Sequence, residues 1–487
     1  MGGKAKRQSG AVHLTAECWP YARTGGLGEA VSGLAAAQAR SGAPITIVLP
    51  LYRVVRETGP ALERVGQPFP VNIGARVEFA RVYRLAEQVS GPAVYFIEHP
   101  DFFDRSGIYG DVGGDYGDNA LRFAFFCKAA ITALPSIAPA AEVLHAHDWH
   151  TALAGVYLRT GFTDTPYYRR LATMLTVHNA GFQGHYAPQA MLTLGLSSEL
   201  YHWRAFEWYD QVNVLKGGIA FSDMVATVSP SHARELCTPQ GGFGLHDTFT
   251  GLGDRLVGIL NGIDLTVWDP ATDPHIAAHY DAQALEGKRR CKAALQRAYD
   301  LADEPNTPLF AMSARLVQQK GLDIVLAASS LSTVDAQFVF LGSGEHRYHE
   351  ALGNLAAAYP DRVVAEFAFT DRLEHRLLAG ADVLLMPSLY EPCGLTQLRA
   401  QRYGAIPIAR AVGGLRDSVE DGVTGFLFVD YSPAALDAAV HRTLEAYADR
   451  RGWRALMRRA MRQHFGWDEP TARYAAAYQR AITARAA

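Results

Sequence analysis

Residues 308–323 read PLFAMSARLVQQKGLD: a short apolar run, a turn that carries Arg315 and Lys320, then a helix-compatible stretch. A strand that feeds a helix through a short loop is the repeating unit of a parallel α/β sheet. Downstream the unit recurs, with strands expected near Gln337 to Leu341, Arg362 to Glu366, Val383 to Met386 and Ile406 to Ala409. Upstream, an earlier series runs through Val12 to Ala16, Ile45 to Leu49, Val94 to Ile97, Val143 to Ala146, Thr173 to Val177 and Val225 to Val228. The restart at Pro308 therefore predicts two separate α/β domains. The turn-rich segment around Asn261 and Gly262, with the polar stretch to about Asn306, separates the two series and places the boundary near 258–264. The expected division is a first domain over 1–260, a second over 261–466 and a closing segment over 467–487.

Composition narrows the function classes. A chain of 487 residues, 49% apolar and 20% charged, is a folded mixture long enough for more than one core. Its 46 Lys and Arg are balanced by 49 Asp and Glu, for a net charge of −3. That balance offers no basic footprint for neutralising phosphates, so no nucleic-acid partner is expected. The five cysteines, Cys18, Cys127, Cys237, Cys291 and Cys393, are odd in number and widely spaced, which fits neither a disulfide framework nor a paired-cysteine metal site. A reducing, cytoplasmic setting is expected. Met1 to Gly10 is basic and polar, and the following Ala11 to Glu17 is interrupted by His13 and too short for a secretory leader. Lys6 stands where a myristoylation signal wants Ser or Thr. No stretch approaches the roughly 18 apolar residues of a membrane span, so no membrane partner is expected. The oligomeric state is left open.

In open parallel sheets, ligands gather beyond the C-terminal strand ends, where loops lead into helices. Four such loops are chemically unusual. Arg23-Thr24-Gly25-Gly26-Leu27-Gly28-Glu29 combines glycines, a helix start and a cation, a set suited to phosphate or to tight packing, without the complete glycine fingerprint of a dinucleotide site. His145-Ala146-His147-Asp148-Trp149-His150, with His178-Asn179 one strand later, admits three readings. These are a metal site, imidazoles satisfied within a core, or Asp148 and His178 bonding sugar hydroxyls. The i, i+2 spacing of His145 and His147 comes without an evident carboxylate ligand, and no metal is expected. Arg315 and Lys320, five residues apart, can grip a diphosphate from two sides or can simply be solvated. Tyr390-Glu391-Pro392-Cys393-Gly394-Leu395-Thr396 offers one strong acceptor beside several backbone donors. Its sequence neighbourhood supplies no base for a Cys393 nucleophile. A Gly-rich acidic stretch, Asp104 to Asp118, reads as a long surface loop that either closes over a ligand or is a disordered insertion.

Seven ordered segments carry a resemblance: RTGGLGEAV, HAHDWHTAL, TVHNAGFQG, LNGIDLTVWDP, SARLVQQKGLD, YEPCGLTQL and GGLRDSVEDGVTGFLF. Together they span nearly the whole chain, which resembles the bacterial glycogen synthases and plant starch synthases. Those are retaining glycosyltransferases of the GT-B fold. The resemblance implies two Rossmann-like domains facing each other across a deep cleft, with the helix from Trp467 to about Ile482 returning to the first. It further implies transfer of glucose from ADP-glucose to the non-reducing end of an α-1,4-glucan, without metal or cofactor. On that reading Arg315 and Lys320 hold the donor diphosphate and Glu391 accepts hydrogen bonds from glucose hydroxyls. Cys393, Gly394, Leu395 and Thr396 supply backbone donors, and Arg23, Gly25, Gly26 and Asn261 belong to the donor site. His178 lies beside the transferred sugar, and Asp148 orients sugar hydroxyls or the acceptor. The family usually carries Lys where this chain has Arg23, and often Asp where it has Glu29, a departure that bears on ADP against UDP preference. The alternatives carried forward are a non-catalytic glucan-binding protein and a transferase using UDP-glucose or a small acceptor. A dehydrogenase is disfavoured by the incomplete glycine fingerprint.

Overall fold

The computed structural model describes residues 9–87 and 90–486. The expectation about a lipid signal, and the part of the leader expectation that falls on residues 1–8, lie outside the described residues. The chain divides into two compact units: one holds everything up to Gly262 together with Trp467 onward, the other runs from Ile263 to Gly466. Each has its own hydrophobic core.

In the first unit a nine-stranded sheet runs in the order Leu256–Gly258, Met224–Thr227, Ala172–Val177, Val143–His147, Ala11–Leu14, Ile45–Pro50, Ala93–Glu98, Arg76–Leu85, Leu62–Ile73. The first seven are mutually parallel, and nearly all of their residues are buried, as expected where helices cover both faces. The last two form an antiparallel edge hairpin that the sequence reading, which expected parallel units only, did not place. Its residues alternate between the core and water, as Val71, Asn72 and Ile73 do, and Glu63, Arg64, Arg81 and Arg84 break up any apolar run.

The second unit is built on a six-stranded, wholly parallel sheet ordered Val363–Glu366, Gln337–Leu341, Leu309–Ser313, Val383–Met386, Ile406–Arg410, Phe426–Phe428. Five of these strands lie within a residue of their expected positions. The stretch read as irregular up to Asn306 contains the helix Glu286–Ala298, whose buried side includes Lys288, Cys291, Lys292 and Leu295. Lys288 Nζ donates to the carbonyls of Leu378, Ala379 and Ala381, closing the C-terminal end of the helix Asp371–Gly380.

One expectation about membranes needs correction. The helix Asn119–Ile137 is 19 residues long and apolar enough, by length and composition, to cross a membrane. It is instead a core helix of the first unit, with 78% of its most apolar window buried there. Of its two charged residues, Arg122 is fully covered and donates to the carbonyls of Phe102 and Ile108 and to Asn119 Oδ1. The closing helix Asp468–Ala486 packs in the first unit, with Tyr474, Ala477, Tyr478 and Ala481 in its core.

Candidate active site

Strand order in the first unit brings three loops to the C-terminal end of one sheet. The first strand lies between Ile45–Pro50 and Val143–His147, and the latter pairs on its other side with Ala172–Val177. His13 is thereby in register with His145, and His147 with Thr176. Beyond the first strand, the buried Glu17 carboxylate accepts from Thr24 N at 2.7 Å, Thr24 Oγ1 at 2.8 Å and Gly25 N at 3.2 Å. It also accepts from Tyr109 Oη at 2.6 Å, which ties the 104–118 loop to the glycine turn. That loop is ordered: Arg105 forms a two-pronged pair with Asp118, and Gly110–Asp111 pairs with Gly114–Asp115. Gly25 precedes the helix Gly26–Arg40, which has no side-chain cap, so that N–H groups of its first turn are open to a ligand. Arg23 is ion-paired to Glu29 at 2.7 Å. Both departures from the family pattern thus meet in one contact.

Asp148 opens the helix Asp148–Thr160 at φ +56°, a left-handed conformation uncommon outside glycine but better tolerated by Asp than by most residues. Its Oδ1 accepts from His178 N at 2.6 Å and Asn179 N at 3.4 Å. Burial pushes its carboxyl up to about 7, against the lowering pull of those two amides. The structure thus joins Asp148 and His178 directly, with the carboxylate holding the backbone of the 178–179 turn. Asn261 is buried near the end of this unit.

His13, His145 and His147 are covered, and their ring nitrogens lie within 4.8 Å of one another, a spacing that could hold a metal ion. Every one of those nitrogens already has a hydrogen-bond partner. His13 bonds Gln38 and His147, His147 bonds His178, and His145 bonds Tyr478 and Thr176. Desolvation lowers all of them: His13 to about 4, His178 to about 3, and His145 and His147 well below the ordinary imidazole value.

In the second unit, Leu309–Ser313 and Val383–Met386 are sheet neighbours, so the loops after them meet. Lys320 Nζ pairs with Glu391 Oε2 at 2.6 Å, and Ser388 Oγ donates to the same oxygen at 3.2 Å. Gly321, at φ +77°, lets the Lys320 turn close on the strand end, since a Cβ there would stand 2.0 Å from the Pro387 carbonyl oxygen. The next strand, Ile406–Arg410, delivers Gly413 and Gly414 against the Glu391–Cys393 turn, with Gly414 N donating to Glu391 O at 3.0 Å. Gln397 Nε2 ties the carbonyls of Cys393 and Gly394 to Ser418, and Leu395 and Thr396 lead from Gly394 into the helix Thr396–Arg402. Cys393 is buried, and among the described residues no cysteine forms a disulfide. Arg315 is exposed and among the described residues carries no ion pair.

The reading by sequence alone passed over Glu17, Tyr109, Gln38, Ser388, Gln397 and Tyr478, and treated His13 only as a break in an apolar run. A polar residue within or just past a buried strand, as at His13 and Glu17, is the signal that could have pointed to two of them.

Residues 11–251 match the family described as starch synthase catalytic domain, and residues 299–459 match glycosyl transferases group 1. Two Rossmann-like α/β units carrying these loops define a glycosyltransferase of the GT-B class. A glycogen synthase of Anaeromyxobacter dehalogenans is 42% identical over 476 residues, 96% of this chain and 98% of that protein. The solved catalytic domain of starch synthase IV from Arabidopsis thaliana, bound to ADP and acarbose, is 32% identical with a TM-score of 0.89, covering 98% of this chain and 100% of that one. A sucrose-phosphate synthase from Thermosynechococcus elongatus shares the fold alone, at 17% identity and a TM-score of 0.61 over 98% of this chain and 100% of that one. The chain belongs to the glycogen synthase family.

Proposed function

We propose that this protein transfers glucose from ADP-glucose to the non-reducing end of an α-1,4-glucan, with retention at the anomeric carbon. The observation that carries the reading is the cation arrangement of the second unit. Lys320 is paired with Glu391 between two glycine-dependent turns, at Gly321 and at Gly413–Gly414, while Arg315, five residues earlier, is exposed and without an ion pair among the described residues. Breaking the bond to a nucleoside diphosphate builds negative charge on the β-phosphate and positive character on the sugar ring. Fixed cations therefore act where the charge appears, and no acid is needed to protonate the leaving group. Arg315 and Lys320 take the diphosphate, Glu391 accepts from glucose hydroxyls, and the backbone from Cys393 to Thr396 supplies further donors. In the first unit, Arg23, Gly25 and Gly26 face phosphate, Asn261 belongs to the donor side, and His178, held by Asp148, faces the transferred sugar. The solved relative bound to ADP supports an adenine nucleotide as the donor's leaving group.

The test supplies ADP-glucose or UDP-glucose with glycogen and measures nucleotide release and polymer growth. Arg315→Ala and Glu391→Ala should each lower turnover about 10²-fold or more, the scale for losing one group that stabilises developing charge. Cys393→Ser should keep most of the activity. Wild-type-like turnover in the first two variants would refute the roles given.

A second reading, a glucan-binding protein without turnover, draws on one observation: the Arg23 guanidinium is engaged by Glu29. Glycogen binding with no nucleotide release from either donor would favour it.

A further inference from the structure

Three of the imidazoles form a chain with a defined polarity. Gln38 Oε1 lies 2.8 Å from His13 Nε2, His13 Nδ1 lies 2.9 Å from His147 Nε2, and His147 Nδ1 lies 3.0 Å from His178 Nε2. Gln38 and His13 are each no more than 3% exposed and His147 is 1% exposed, so no bulk water competes along the chain. The last ring nitrogen, His178 Nδ1, has no protein partner among the described residues.

A neutral imidazole has one N–H and one lone pair. Three of them in series have only two consistent arrangements, because any mixture sets N–H against N–H or lone pair against lone pair. The terminal amide chooses between them. With its oxygen on His13, Gln38 accepts from His13 Nε2–H, His13 Nδ1 accepts from His147 Nε2–H, and His147 Nδ1 accepts from His178 Nε2–H. The amide itself is oriented from its other side, where Nε2 donates to Tyr478 Oη at 3.1 Å. That hydroxyl is 2.8 Å from His145 Nδ1, and His145 Nε2 is 2.7 Å from Thr176 Oγ1. We propose that Gln38, acting through His13 and His147, is a positioning residue that holds His178 as its Nε2–H tautomer, so that Nδ1 is presented as a hydrogen-bond acceptor to a sugar hydroxyl. Burial, which keeps these rings neutral, is what makes the chain polar and not freely protonated. The sugar-facing half of this statement rests on the role of His178 given above; the tautomer half does not.

The two halves are tested by different readouts on the full-length protein. Histidine is labelled with ¹⁵N, and His178 is assigned by the signals that vanish in His178→Gln. In the wild type, its Nε2 should be protonated and its Nδ1 should carry the lone pair. Gln38→Leu removes the oriented amide, so His178 should show averaged signals from both tautomers. Gln38→Glu, whose carboxylate can only accept, should restore the wild-type pattern. In Gln38→Leu, kcat/KM should fall about two- to tenfold, because only the fraction of molecules with the correct tautomer is competent. A wild-type His178 protonated on Nδ1 overturns the relay. So does an unchanged His178 pattern in Gln38→Leu, or a stoichiometric metal ion shifting the His13 and His147 signals. Should the tautomer shift as expected with no loss of turnover, the relay stands and the sugar-facing role of His178 is overturned.

Discussion

Gly413 and Gly25 illustrate opposite uses of a missing side chain. Gly413 is at φ +43°, and a Cβ there would stand 1.9 Å from the Glu391 carbonyl oxygen. Gly413→Ala must displace the turn that positions Glu391. It should cost on the order of 1–3 kcal/mol, read from the denaturant midpoint, and lower glucose transfer as well. Gly25 has extended backbone, and a Cβ would meet nothing within 4 Å. Gly25→Ala should leave stability within about 0.5 kcal/mol, so any loss of turnover reports a ligand that approaches the backbone there. Asp148 gives a pH signature. Its carboxyl is raised to about 7 by burial, from an ordinary 3.8. Between those values the folded chain keeps a proton that the unfolded chain has lost, so this group's contribution to stability falls as pH rises through the window. Asp148→Asn removes that slope; relative to wild type its thermal midpoint should be higher at pH 7 than at pH 5.

Among the elements, what could be read from sequence was decided by burial on two faces. Strands such as Gln337–Leu341 and Val383–Met386 are covered on both sides and therefore appear as unbroken apolar runs. The hairpin Leu62–Ile73 and Arg76–Leu85 and the helix Glu286–Ala298 are half solvated and rich in charge, and neither showed such a run. The loops at strand ends were legible because glycine beside a charge at a strand-to-helix turn is chemically unusual. Their mutual contacts were not, since Lys320 meets Glu391 and Asp148 meets His178 only through strand order. The histidine chain was least legible of all: its members are drawn from three strands, the turn after one of them and two helices, with Gln38 and Tyr478 440 positions apart. Tyr478→Phe deletes a hydroxyl that serves both Gln38 and His145. Leaving those buried groups unpaired should cost about 1–3 kcal/mol, measurable as a lower urea midpoint.

Over the whole molecule, the buried histidines whose affinity for protons drops furthest are gathered in one unit. Burial lowers His13 and His232 to about 4 and His150 and His178 to about 3, and all four belong to the first unit. Their unfolded counterparts take up protons near the ordinary 6.5, so the stability they represent is present above that value and is lost as pH falls toward 4. Asp148 runs the other way. Amide hydrogen exchange compared at pH 7 and pH 5, corrected for its intrinsic pH dependence, should show protection falling more in the nine-stranded sheet than in the six-stranded one. Equal loss in both would contradict this assignment.

The placement of Asp468–Ala486 also orders events during synthesis. The second unit is continuous in sequence, but the first is not. A nascent chain whose last residue is Gly466 already contains every strand of the six-stranded sheet, while its N-terminal half still lacks Tyr474, Ala477, Tyr478 and Ala481. The half that leaves the ribosome first is thus the half that is completed last, and His145 gains its tyrosine partner only after the tail emerges.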